Sequence, residues 1–219
     1  MPSREAAAVT NLIRRLWWRA MWRLSQVRLL HGIPTAVSLE AGDPRRCFDR
    51  LDEALDLLER YDPRTLDSIR EHFAGIIAFG REPFRVAYWN NTARLCVVTV
   101  RYLESPGASP EGVASTLVHE NMHATLRGLG TPYADGRRAP IEVICAMAEL
   151  AFARRIPSNP KLAELAERRI DEWATSGESV WSDEATRRAK LQYLRDVGMP
   201  GWFVTLLDRL GRVLSRRAA

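Results

Sequence analysis

Asp43-Pro44, Asp62-Pro63 and Ser109-Pro110 each set a capping side chain directly before a proline, at the head of an apolar helical pattern. An Asp or Ser at the N-cap accepts a backbone N–H of the first turn, and proline at the next position arrives with φ already helical. Each pair therefore predicts a helix start. Apolar residues at a period near 3.6 follow: Phe48, Leu51, Leu55 and Leu58 after the first, Leu66, Ile69, Phe73 and Ile76 after the second. The third start opens a helix over about 110–127, with Gly128 past its end. Residues 9–30 form an amphipathic helical pattern, and further patterns cover roughly 137–155, 160–175, 183–197 and 200–217.

One stretch argues for strands. Phe84–Trp89, a turn at Asn90-Asn91, and Ala93–Leu103 predict a hairpin rich in Val, Tyr and Trp. The expected fold is α+β and mostly helical, with a small antiparallel sheet or hairpin beside several helices. Its expected organisation is a basic, Trp-rich N-terminal helix within 1–35, a helical domain with the sheet over 36–199, and a basic amphipathic helix over 200–219 packed on or extending that domain.

With 46% hydrophobic and 27% charged residues, a disordered chain is excluded. No apolar run approaches the roughly 20 residues of a spanning helix. The net charge of +5 is unevenly placed. Residues 1–30 carry six Arg against one acid, 208–219 carry four Arg against one Asp, and the body between has 22 bases and 25 acids. The basic excess thus belongs to the ends, and without a groove-reading motif no nucleic-acid partner is expected.

In the N-terminal helix Val9, Leu12, Ile13, Leu16, Trp17, Ala20, Leu24 and Val27 share one arc, while Trp18 and Trp22 lie opposite with Arg15 and Arg19. If the arc packs on the core, the two Trp face outward. That face would suit a membrane interface, a protein partner or a homodimer. The C-terminal stripe of Trp202, Phe203, Leu206, Leu207, Leu210 and Leu214 reads as core-packed. Arg14, Arg15, Arg19, Arg23 and Arg28 interrupt the apolar stretch that a secretory signal needs. Cys47, Cys96 and Cys145 make an odd count without framework spacing. The expected setting is cytoplasmic, with the inner membrane face as a docking option.

The densest chemistry is His119-Glu120-Asn121-Met122-His123, which holds two of only four histidines. Residues four apart lie on one helix face, so both imidazoles can bind one ion. Glu120 points elsewhere and can take a proton from a water that the ion activates. Ion and water together make Zn2+ the expected cofactor.

This HExxH pattern resembles the zincin metallopeptidases, and residues 84–155 share their order of elements. The metzincin extension is absent, since Leu126 and Leu129 stand where its Gly and His belong. The gluzincin likeness implies a third ligand Glu on a later helix, and Glu142 lies 19 residues after His123. Glu149, on the same face two turns on, and Asp135 in the intervening loop remain alternatives. Thermolysin-like enzymes continue with an acid four residues after that Glu; here Ala146 stands there. The segment His119–Pro157 is also similar to uncharacterised bacterial predicted metallopeptidases with a loop Tyr and an I-E-x-x-C helix, here Tyr133 and Ile141–Cys145.

The resemblance implies a zinc-dependent hydrolase, most readily a peptidase acting on peptides or proteins. Metal ligands would be His119, His123 and Glu142, with Glu120 the base and Tyr133 the oxyanion donor ahead of Arg137 and Arg138. It also implies that the strand over 93–103 is the edge beside the active-site helix, where substrate backbone pairs. The alternative from another class is a non-catalytic, zinc-stabilised interaction protein. Cys145, one turn from Glu142, reads as a buried small residue. His31 and His72 read as surface or capping residues.

Overall fold

The computed structural model describes residues 4–82, 85–131, 133 and 137–176, with isolated positions between 188 and 208. The expected helices over 183–197 and 200–217 therefore lie largely outside the described residues. The protein is mostly helical with one small sheet, an α+β fold.

The three cap-proline signals act as the sequence expects. Asp43 accepts the Arg46 N–H at 3.0 Å and opens helix α2 (Pro44–Tyr61). Asp62 accepts from Thr65 and opens α3 (Pro63–His72). Ser109 accepts the Gly112 N–H at 3.1 Å and opens α5 (Pro110–Gly128). Between α3 and α5 lies a short α4 (Val100–Glu104), and after α5 come α6 (Arg138–Ala153) and α7 (Pro160–Ser176).

The N-terminal region departs from expectation. Helix α1 covers Arg4–Arg23, and the helical reading of 24–30 fails. Gln26–Leu30 is instead strand β1, paired antiparallel with β2 (Ile33–Val37). The cause is the turn: His31 and Gly32 both adopt left-handed φ, +49° and +78°, which closes a two-residue hairpin. Strand β3 (Gly75–Ala78) replaces the expected end of the second helix, because Phe73 turns to extended backbone and Ile76 enters the sheet.

The predicted hairpin is present in shortened form, as β4 (Ala87–Asn90) and β5 (Leu95–Val98) paired antiparallel. Residues 100–103, expected as strand, are helical because Thr99 caps α4. The sheet order is β1-β2-β3-β5-β4. It is mixed rather than antiparallel throughout, since β2·β3 and β3·β5 are parallel. β4, not the 93–103 strand, is the edge next to α5.

The sheet is covered on both faces, which explains why β3 reads as an unbroken apolar run. One face carries Ile33, Val37, Ile76, Ala78, Cys96 and Val98, which pack with Phe48, Leu51, Leu55, Leu66, Ile69 and Leu117 of α2, α3 and α5. The other face carries Ala36, Ile77, Leu95 and Val97 under α1.

Here the helix sits opposite to the sequence expectation. Trp18 is buried and Met21 and Trp22 pack beside it, whereas Leu12, Ile13 and Leu16 are 56, 61 and 53% exposed. Gly75 makes that seat possible. A Cβ there would stand 2.6 Å from the Trp22 ring and 2.7 Å from the Pro34 carbonyl oxygen.

Candidate metal centre

Helix α5 is the central element of the molecule, in contact with α2, α3, α6 and β4. It buries Val113, Ala114, Leu117, Val118 and Ala124, and with them the polar Ser115, Glu120 and Asn121. A polar group there needs a partner, since an unmet hydrogen bond costs about 1–3 kcal/mol. The partners define the site.

His119 and His123, one turn apart, bring their Nε2 atoms within 3.1 Å of each other. Helix α6 delivers the Glu142 carboxylate to the same point. Its Oε2 lies 3.1 Å from His119 Nε2 and its Oε1 3.5 Å from His123 Nε2. Glu149, two turns further along α6, reaches the far side of the first imidazole, with Oε1 2.7 Å from His119 Nδ1. The second Glu149 oxygen accepts from Ser115 Oγ at 2.9 Å and from Arg169 of α7 at 2.7 Å. Trp173 of α7 stands edge-on to the His119 ring at 5.9 Å.

The two acids left open by the sequence therefore differ in place. Glu142 shares the convergence point of both imidazoles, and Glu149 backs one of them. Glu149 fills the place that Ala146 leaves without an acid. Asp135 lies outside the described residues.

Glu120 reaches β4, where the Trp89 backbone N–H donates to its carboxylate. Its Oε2 is buried with no hydrogen-bond partner. Burial pushes this carboxyl up to about 7; the Glu142 charge adds to the shift while His119 opposes it.

Burial also acts on the other groups. It would push His119 down, but its hydrogen bonds to Glu142 and Glu149 and the surrounding carboxylate charges outweigh it and raise the ring well above its ordinary value. His123 lacks such a pair; burial, with the charge of His119, pushes it down to about 4 against the opposing pull of Glu142. Glu142 is raised by burial and lowered more strongly by His119, His123 and the Tyr133 hydroxyl.

Tyr133 donates to Glu142 Oε1 at 2.6 Å and stands edge-on to His123 at 5.3 Å. Arg138 lies over its ring, and the residue is 44% exposed, so it marks the solvent side of the site. Cys145 is closer than its reading as a plain core residue implies: a ligand atom of each of His119, His123 and Cys145 lies within 4.8 Å of the others. Burial, then the charges of Glu142, Glu120 and Glu149, push its thiol up.

Ser115, Arg169, Trp173 and the Trp89 amide were not legible as site residues, since no local motif marks them. A separate group, His31 with Asp56 and Glu59, also has close ligand atoms, but both acids are exposed.

The donor set fits a zinc ion. Bonds of about 2.0–2.1 Å in a tetrahedron set neighbouring donors about 3.3 Å apart. The two Nε2 atoms lie 3.1 Å apart, and the Glu142 carboxylate straddles them, with Oε2 3.1 Å from His119 and Oε1 3.5 Å from His123. No protein-family model, no curated protein and no solved structure matches the chain.

Proposed function

We propose that the protein is a zinc-dependent hydrolase acting on peptides or proteins. The observation that carries this reading is the convergence of the His119 and His123 Nε2 atoms on the Glu142 carboxylate, next to a buried Glu120 carboxylate with one unpartnered oxygen. His119, His123 and Glu142 would hold the ion. When bound, zinc supplies Lewis acidity toward a water and toward a carbonyl oxygen.

The chain's own residues supply the rest. Glu149 accepts the Nδ1–H of His119, which fixes the tautomer that leaves the Nε2 lone pair toward the other donors. Arg169 and Ser115 hold Glu149 in that orientation. Glu120, held at about 7 and anchored by the Trp89 amide, can take a proton from the attacking water and return it to the leaving amine near neutral pH. Tyr133, on the solvent side, is the donor we assign to the oxygen that gains charge as the carbonyl is attacked, its one O–H then moving from Glu142 Oε1 to that oxygen.

β4 is an edge strand of the sheet and packs next to α5. An extended substrate backbone can pair there. We place the protein in a cytoplasmic setting because all three cysteines are buried and unpaired.

Cys145 favours a second reading, a non-catalytic zinc-stabilised interaction protein. Its sulfur near both imidazoles would close the site as a fourth ligand, and closed sites are structural.

Three measurements decide. Purified protein should hold close to one zinc per chain, and Glu142→Ala should lose it; a metal-free wild type would refute the metal reading. Glu120→Gln should keep its zinc and lose hydrolysis of an unstructured protein such as casein. Turnover unchanged by that substitution would refute the role of Glu120. In cobalt-substituted protein, a sulfur-to-metal charge-transfer band would establish Cys145 as a ligand and favour the second reading.

A further inference from the structure

We propose that α1 lays its outer face on an anionic bilayer surface. The helix has two apolar faces. Trp18 and Trp22 occupy one and are seated on the sheet. The opposite face carries Leu12, Ile13 and Leu16 with the outer half of Trp17, and nothing among the described residues covers it. Leu24 continues this patch at the end of the helix, 58% exposed. β1 extends it further: Val27 and Leu29 pair with Ala36 and Pro34, so they stand on the α1 side of the sheet, and both are exposed.

The charge around this patch chooses the occupant. Arg15, Arg19 and Arg23 recur every fourth residue along one edge of the apolar arc, and Arg14 lies across it. All four are exposed, without an ion pair among the described residues. On the arginine side, Arg15, Arg19 and Arg94 line a cavity of about 420 Å³ floored by Trp18 and Trp22. An apolar strip bordered by guanidinium groups matches the boundary between acyl chains and anionic headgroups. The cavity places Arg15 and Arg19 where a lipid phosphate can enter, beside Arg94, which the His72 and Glu71 carbonyls hold.

A second copy of the chain fits less well, because self-pairing would bring one arginine row near the other. No helix among the described residues is long and apolar enough to cross a membrane, so the contact is interfacial. This inference is independent of the hydrolase reading, and either can fail alone.

The test is co-sedimentation of the full chain with phosphatidylcholine vesicles, with and without phosphatidylglycerol. Binding is expected only with the anionic lipid and should weaken with added salt. Leu12→Gln with Leu16→Gln should lower partitioning by about tenfold or more. Arg15→Gln with Arg19→Gln should lower it by about 30-fold. Both double variants should retain the wild-type thermal midpoint. No binding, or equal binding to neutral vesicles, overturns the proposal.

Two lipid-free measurements exclude other occupants. A dimer that Leu12→Gln with Leu16→Gln dissociates would show that a second copy covers the face, and overturns it. Ile13→Cys should label rapidly, since the native cysteines are buried. Slow labelling of the monomer would show the face covered by the rest of the chain, and also overturns it.

Discussion

Replacing Glu149 with Gln tests the division of labour between the two buried acids of α6. The Glu149 carboxylate accepts from His119 Nδ1 at 2.7 Å, Ser115 Oγ at 2.9 Å and Arg169 Nη1 at 2.7 Å. A glutamine has one oxygen to offer in place of two. Aimed at His119, it turns its NH2 on Arg169 and sacrifices a charge-assisted bond worth about 1.5–3 kcal/mol. Kept on Arg169, it turns the NH2 toward His119 Nδ1 and drives the imidazole proton to Nε2. The second arrangement loses less, so it should prevail. Zinc must then displace the Nε2 proton and break the new bond.

Loss of a partner behind a ligand histidine lowers metal affinity by about 10–100-fold, or about 1.4–2.7 kcal/mol. The variant also weakens the hold of protonated His119, which offsets part of the loss and favours the lower end, about tenfold. The assay is zinc titration of chelator-stripped protein against a competing chromophoric chelator at neutral pH. The Glu149→Gln protein should still saturate at one ion. Affinity within about twofold of wild type would refute the reasoning, as would a smaller loss in Glu142→Gln than in Glu149→Gln.

The two faces of α1 should respond oppositely to truncation. Trp18→Ala should destabilise by about 3–5 kcal/mol in denaturant melts, and Leu16→Ala by less than about 0.5 kcal/mol; the reverse order would return the helix to the orientation its sequence suggested. Glu104 accepts the Gly42 and Asp43 amides at 2.6 and 3.0 Å and pairs with Arg81 at 2.6 Å. Burial raises its carboxyl, but these bonds more than offset that and hold it below the usual range, so its stabilisation is present above the unfolded-state pKa and is lost as pH falls through the folded value. Glu104→Gln should therefore cost about 1–2 kcal/mol at neutral pH and about nothing once the native carboxyl is protonated; an equal cost at acid pH would count against this role of the Glu104 charge.

What the sequence made legible was local. Asp43, Asp62 and Ser109 cap where they stand because an N-cap acts within three residues, and the His119–His123 pairing needs one helical turn. The failures were matters of which surface lies opposite. Leu24 and Val27 extend a helical arc as readily as they alternate in a strand, and only the left-handed pair His31-Gly32 decides. Ile76 falls three residues after Phe73, which suits α3 until β2 and β5 claim it from either side. The α1 helix carries two apolar faces, and periodicity cannot say which one meets Gly75. Glu149 and Arg169 are twenty residues apart on different helices, so their pairing exists only after α6 and α7 pack.

The polar content of α5 shows why its remaining exception points to function. A helix enclosed on most sides is expected to be apolar, yet this one buries or half-buries Ser115, His119, Glu120, Asn121 and His123. Ser115 and His119 are met by Glu149, Asn121 by Ser68, and His123 by His119 and Glu142. Each partner comes from a different turn or helix, so the satisfaction is specified rather than incidental. Among these, Glu120 alone keeps a buried oxygen without a partner, although its carboxylate also accepts from the Trp89 amide. Packing alone would favour leucine there, which fills similar space without a desolvated charge. A carboxylate held half-satisfied next to His119 breaks the rule that the other polar side chains of α5 keep, and such breaks concentrate where chemistry is done. That is why the Glu120→Gln substitution, which preserves shape and removes the proposed base, is the decisive test of hydrolysis.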